Sequence, residues 1–347
     1  MRVVGRDALK LLGGVVAVGA TVLMGVQGCG LFESERVSKG RSLYQHYCMH
    51  CHGENGRQNE GFNWITMPDP RPRDLSIRNE METFKDEELY LTLYRDMKDT
   101  SEDGGDAIGE DEFAVPTMPT FKYTLSQEDI WATVAFVRSL HGVSLTYDVE
   151  GQVQTLQEKV TAAQTKLDEA KKALELAEEK AEAAESENND EEVAEEEEEE
   201  YLEEAMLPEE EALEEAEMEF HEAKQEFERF TKRPRYAQIS RPDFTVSGER
   251  RQQLAQVGER LYYNKYGCNG CHSVGGQGGI VGPPLDRAGF RLNDTWIYRW
   301  IKYPQAMKRK TRMPNLGITD DDAQAITMFL KTLRAPKPDQ SIQKVSN

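Results

Sequence analysis

The sequence predicts an all-α chain in which two like helical modules are separated by an acidic helical hairpin. Three observations carry that prediction. A cysteine–histidine pattern occurs twice, as Cys48-Met49-His50-Cys51-His52 and Cys268-Asn269-Gly270-Cys271-His272. Each copy is followed by a Met-Pro pair and then by a segment of helical periodicity, 125–140 in one copy and 318–333 in the other. Between the copies, apolar residues recur every seven positions for five heptads.

The closing helices come first because their signal is local. LSQEDIWATVAFVRSL and ITDDDAQAITMFLKTL align without a gap. Each opens on Ser126 or Thr319 with Asp129 or Asp322 three residues later, a capping-box pattern. Ile130, Val134 and Val137 form one stripe; Ile326, Phe329 and Leu330 form the other. Upstream, Gly40-Arg41-Ser42-Leu43-Tyr44 parallels Gly258-Glu259-Arg260-Leu261-Tyr262, each leading by a short helix into its cysteine cluster. One module has been duplicated.

The chain has 347 residues, room for two or three domains, and only five cysteines, too few for a disulfide scaffold. The N-terminus reads as a targeting segment. Arg2, Arg6 and Lys10 precede the uncharged run LLGGVVAVGATVLMGV, and QGCG follows. That end resembles a bacterial lipobox: Val26, Gln27 and Gly28 precede the cut, and Cys29 is the lipid-attachment residue. The run is short for a membrane span, which needs roughly 20 residues. Residues 1–29 are therefore expected to be a signal peptide with its lipobox, and the chain from Cys29 on to be exported and lipid-anchored on the periplasmic side of a bacterial membrane.

The remaining cysteines carry chemistry. C-x-x-C-H is the pattern of c-type haem attachment, and two copies imply two haem c groups. Cys48, Cys51, Cys268 and Cys271 are the candidate thioether residues, and His52 and His272 the candidate proximal iron ligands. Zinc would use the cysteines but leave both histidines unexplained, and a redox dithiol needs no such histidine. A haem iron has a second axial position, for which a thioether suits a high potential. Met118 in VPTMPTF and Met313 in TRMPNLG are the candidates; Met67, Met97, Met307 and Met328 are weaker rivals.

The order G-x-x-L-Y, C-x-x-C-H, Met-Pro, closing helix, met twice, resembles the class I cytochrome c family over residues 35–148 and 245–335. The resemblance implies a small all-helical fold wrapped around one haem per module, with His52–Met118 and His272–Met313 as axial pairs. It also implies a proline carbonyl that accepts the proximal histidine N–H: Pro283 or Pro284 in the second module, Pro70 or Pro72 in the first. Arg71 and Arg73 suit haem propionates, because guanidinium pairs with carboxylate. Trp296 and Trp300 read as core.

The intervening residues 151–232 hold 30 acidic and 8 basic side chains, so most of the chain's net charge of -21 sits there. One heptad position runs Val153, Val160, Leu167, Leu174, Ala181; the other runs Leu156, Ala163, Ala170, Ala177, Ala184. A second stripe, Leu213, Ala216, Phe220, Ala223, Phe227, Phe230, resumes after Pro208. Small residues facing large ones predict an antiparallel coiled-coil hairpin with arms of about 40–50 Å. Such a hairpin returns the chain to its origin, so the acidic first module and the basic second one would sit together. Residues 336–347 read as a flexible tail.

These features predict a membrane-tethered dihaem cytochrome c that moves single electrons between redox protein partners, free or within a membrane respiratory complex. It would not itself be an enzyme. A dihaem peroxidase is the alternative, since that class also has two C-x-x-C-H domains, but it needs a haem open to substrate. A third reading makes the hairpin a docking arm for a structural haem subunit. Nucleic acid is not an expected partner, because no basic face dominates the chain.

Overall fold

The computed structural model describes residues 34–61, 71–97, 118–188, 208–235 and 244–335. The signal segment with Cys29, the rival Met67, Pro70 and the C-terminal tail lie outside the described residues. The fold is all-α, with a single pair of two-residue strands among the described residues, β1 (Ser273–Val274) and β2 (Gln277–Gly278).

The first module comprises α1 (Glu35–Tyr47), α2 (Met49–His52), α3 (Arg78–Met81), α4 (Asp86–Tyr94) and α5 (Gln127–Leu140). Ser34 and Ser126 cap α1 and α5 by accepting from the backbone N–H three residues on. The α1–α5 crossing is close because Gly40 faces Ala132: a Cβ on Gly40 would lie 1.9 Å from the Ala132 carbonyl oxygen. Tyr44 and Phe136 pack with tilted rings beside that crossing, both buried.

Two long helices follow, α6 (Val149–Asn188) and α7 (Pro208–Thr231). They run antiparallel, as the pairs Lys159–Glu226 (3.2 Å) and Lys166–Glu219 (2.7 Å) show. Leu156, Ala163 and Leu167 of α6 are buried, as are Ala216 and Phe230 of α7. At 1.5 Å per residue, the 40 residues of α6 span about 60 Å and the 24 of α7 about 36 Å. In this register α6 runs past the start of α7, which explains why Ala181, on the heptad stripe, is exposed. The base of the pair is part of the first module: Val149, Leu156 and Phe230 pack in one core with Leu93, Phe121, Ile130 and Trp131. Arg233, just after α7, pairs with the buried Asp129 of α5.

The second module comprises α8 (Gly248–Arg260), α9 (Ala288–Arg291), α10 (Asp294–Lys302), α11 (Pro304–Met307) and α12 (Asp320–Thr332). A π turn, Leu261–Lys265, extends α8 toward the cysteine cluster. The crossing of α8 with α12 repeats that of α1 with α5. A Cβ on Gly258 would lie 2.0 Å from the Ala325 carbonyl oxygen. Thr319 caps α12 through the Asp322 N–H. The acids three residues into the closing helices do more than a cap requires. Asp129 meets Lys39 of α1, and Asp322 meets Lys265 and Tyr266, so each ties its closing helix to the first helix of its own module.

The two modules touch directly. Met97 of the first module is buried in the core of the second, among Tyr266, Ile297, Tyr298 and Ile326. Tyr123 lies against Gly317, where a Cβ would come within 2.2 Å of its ring.

Candidate functional site

In both modules the tyrosine of G-x-x-L-Y closes the end of the cysteine cluster. Tyr44 donates its hydroxyl to the Gly53 carbonyl at 2.7 Å, and Tyr262 donates to the His272 carbonyl at 3.4 Å. Each tyrosine is buried, and burial raises its pKa, so the hydroxyl stays protonated as a donor. The cluster is thus anchored to the helix that precedes it.

Each candidate proximal histidine is oriented through its Nδ1. His272 Nδ1 lies 2.8 Å from the Pro283 carbonyl. His52 Nδ1 lies 3.2 Å from the carbonyl of Arg73. The first module therefore departs from the proline expected there. Its acceptor lies 21 residues beyond the histidine, against 11 in the second, so the register of the GPPL loop does not carry over. In each ring the Nδ1–H donates to the carbonyl, which leaves Nε2 as a neutral lone-pair donor able to bind iron. Burial lowers the pKa of both histidines and so favours that neutral form. The second ring is also packed by backbone: a Cβ on Gly282 would lie 2.3 Å from His272 Cε1.

No disulfide joins Cys48, Cys51, Cys268 or Cys271. Burial, then the neighbouring Cys51, pushes the Cys48 thiol up to about 12. Burial likewise pushes Cys268 up to about 12 and Cys271 up to about 11. A redox dithiol or a catalytic cysteine needs the opposite shift. Nor do the two clusters converge: among the described residues no three His, Cys, Asp or Glu side chains come together to hold one metal ion.

Both clusters open into a single cavity of about 550 Å³. Cys48, Cys51, His52 and Met118 lie on its wall, and so do Cys268, Cys271, His272 and Met313. The rest is mostly aromatic and aliphatic. Four arginines also line it, Arg71, Arg73, Arg95 and Arg312, and among the described residues no Asp or Glu does. An apolar cavity with cysteine pairs, oriented imidazoles, thioethers and guanidinium groups on its wall fits haem. The macrocycle would be buried, and its propionates would meet the arginines. Arg71 and Arg73 were legible in the sequence. Arg95 and Arg312 were not, since neither stands near its cluster in the chain. Arg312 approaches the other module: after burial, its charge is the main influence lowering the pKa of His50.

The rival methionines lie elsewhere among the described residues. Met97 and Met328 are buried core residues, and Met307 ends α11 off the cavity wall. Trp296 and Trp300 stack at 4.9 Å and are half-buried rather than core.

The comparison with known families decides the identity. The cytochrome c family model matches twice, over residues 37–141 and 255–334. The chain belongs to the cytochrome c family. Membership makes it a haem-binding electron-transfer protein, and the two matched regions are the two modules flanking α6 and α7. A curated relative is cytochrome c oxidase subunit 2 of Alkalihalophilus pseudofirmus, 28% identical over 28% of this chain and 29% of that protein. This cytochrome therefore spans less than a third of the length of that relative. No solved structure matches it.

Proposed function

We propose that the chain is a dihaem cytochrome c that carries single electrons between respiratory-chain partners, tethered to the periplasmic side of a bacterial membrane through lipid on Cys29. The observation that carries this reading is the shared cavity, whose wall holds two cysteine pairs, two oriented histidines and two Met-Pro methionines. Haem bound there supplies a one-electron iron couple. The chain's own residues would do the rest. Cys48, Cys51, Cys268 and Cys271 would attach the two groups, and His52, His272, Met118 and Met313 would hold the irons.

Two methionine-closed sites leave no position for substrate, which favours a carrier over a peroxidase. Thioether ligation and an apolar wall both stabilise the reduced iron. A common cavity brings the two groups together, so an electron received by one module has a short internal route to the other. Similarity to an oxidase subunit supports a membrane respiratory complex as the partner. None of the described helices is long and apolar enough to cross a membrane.

The test is the absorption spectrum of the oxidised, haem-loaded protein with haem counted per chain. Two haems, each with the weak iron–methionine charge-transfer band, are expected. One haem in a high-spin state would move the peroxidase reading to the front.

A further inference from the structure

The two candidate methionine loops are held in different ways. Past Met118 the first loop is anchored on its own module. The Phe121 N–H donates to the Leu93 carbonyl at 2.7 Å, the Thr120 hydroxyl reaches the same carbonyl, and Lys122 pairs with Asp96. Leu93 and Asp96 belong to α4 and its C-terminal end, so these three contacts lie within the loop's own module.

The loop of Met313 takes part of its support from the other module. Its own module contributes Gln305, whose Nε2 donates to the Met313 carbonyl at 2.8 Å. Thr311 Oγ1 accepts from the Met313 N–H at 3.3 Å, and Asn315 Oδ1 accepts from the Gly317 N–H at 2.9 Å. The two residues that flank Met313 at a distance of two are each bonded to the first module. The Asn315 N–H donates to Thr124 Oγ1 at 2.8 Å. The Thr311 carbonyl lies 3.4 Å from His46 Nε2, which donates to it in the tautomer protonated there. These are interior contacts, with Thr124 at 5% exposure and Asn315 at 2%. An Asn315 N–H deprived of Thr124 would be left buried without that acceptor, a costly state that the loop would relieve by moving.

We propose that Thr124 and His46 of the first module are positioning residues for Met313, so that axial closure of the second haem depends on the docking of the two modules. The inference rests on Met313 being that haem's ligand. The geometry makes a clamp: one grip two residues before the ligand, one two residues after, both from the same neighbouring module. Releasing either grip frees the loop on one side while its own Gln305 contact remains. A thioether that dwells less on the iron lowers the potential of that haem and weakens its charge-transfer band. The contacts that directly follow Met118 run to α4 of its own module, so the first haem is expected to depend less on docking. Docking of the modules is then part of how the second site acquires its redox properties.

The test uses the full-length, haem-loaded protein. Thr124→Val, Thr124→Ser and His46→Phe are compared with Met313→Ala by optical spectrum and redox titration. Met313→Ala identifies the second haem as the one whose band is lost and whose potential falls. Thr124→Val and His46→Phe are expected to weaken that same band and shift that same potential downward, leaving the other haem unchanged. Thr124→Ser, which keeps the acceptor oxygen, is expected to restore both. Wild-type bands and potentials in both Thr124→Val and His46→Phe would overturn the clamp. His46 is half-buried and lies on α1 rather than on a closing helix, so this variant carries the test if Thr124→Val fails to fold. Two intact bands in Met313→Ala would instead overturn the ligand assignment beneath the proposal.

Discussion

Asp86 and Arg138 form an ion pair of 2.6 Å with both side chains almost wholly buried. The pair joins the start of α4 to the last turn of α5. Arg138 also donates to the carbonyls of Met81 and Phe84, while Asp86 accepts from the Thr146 hydroxyl and from the Thr146 and Tyr147 N–H groups. One buried node thus organises the chain as it leaves the first module for α6. Asp86→Asn is expected to destabilise that module by about 3–5 kcal/mol, because it leaves a buried guanidinium without its counter-charge. Denaturant unfolding checks this.

The same node gives a pH dependence. Burial alone would raise the Asp86 pKa, but the hydrogen bonds from Thr146 and the charge of Arg138 outweigh it and hold the carboxyl below its ordinary value. Folded below unfolded means that the stabilisation is present above the unfolded pKa of about 4 and is lost as pH falls through the folded one. Stability is expected to decline on acidification below about pH 4. Unfolding curves of Asp86→Asn should lack part of that decline.

Gly40→Ala and Gly258→Ala are expected to behave as a matched pair. Each adds a Cβ within about 2 Å of a carbonyl oxygen on the opposite helix, which neither helix can avoid without separating. Overpacking of this kind costs about 1–3 kcal/mol or more. Thermal unfolding followed at the two haems would show each variant weakening its own module first.

Gly282→Ala acts on chemistry rather than on a crossing. The added methyl would sit 2.3 Å from His272 Cε1 and displace the ring from its bond to the Pro283 carbonyl. On the proposed dihaem reading, altered ligation of one haem of the two is the expected outcome, read by optical spectrum, with the His52 site unaffected.

The arm should divide into a strong base and a weak shaft. Phe230 is buried in the first module's core, and Phe230→Ala is expected to cost about 3–5 kcal/mol. Lys166 pairs with Glu219 in the open, so Lys166→Gln should cost under about 1 kcal/mol, less still at high salt. Denaturant titration of the two variants distinguishes a structural base from a solvated shaft.

Much of this was written locally. C-x-x-C-H carries its chemistry in five residues, and Ser126 and Thr319 mark helix starts from sequence alone. Heptads identify the faces of α6 and α7 without a structure. The acceptor for His52 was misplaced because the first module's loop is longer, and loop register has no periodic signal. Arg95 and Arg312 were missed because an arginine looks the same in solvent and on a cavity wall, and Arg312 ends a basic run that reads as solvated.

What the sequence by itself determined is the duplicated module, its cysteines, histidines and methionines, and the helices that carry them, because these follow from covalent chemistry and from periods of a few residues. Only the tertiary structure decided that the two crevices form one cavity, and that the loop of Met313 is gripped by the module before it. Those contacts join residues 191 and 265 positions apart. They depend on how two finished surfaces fit, which no local pattern encodes.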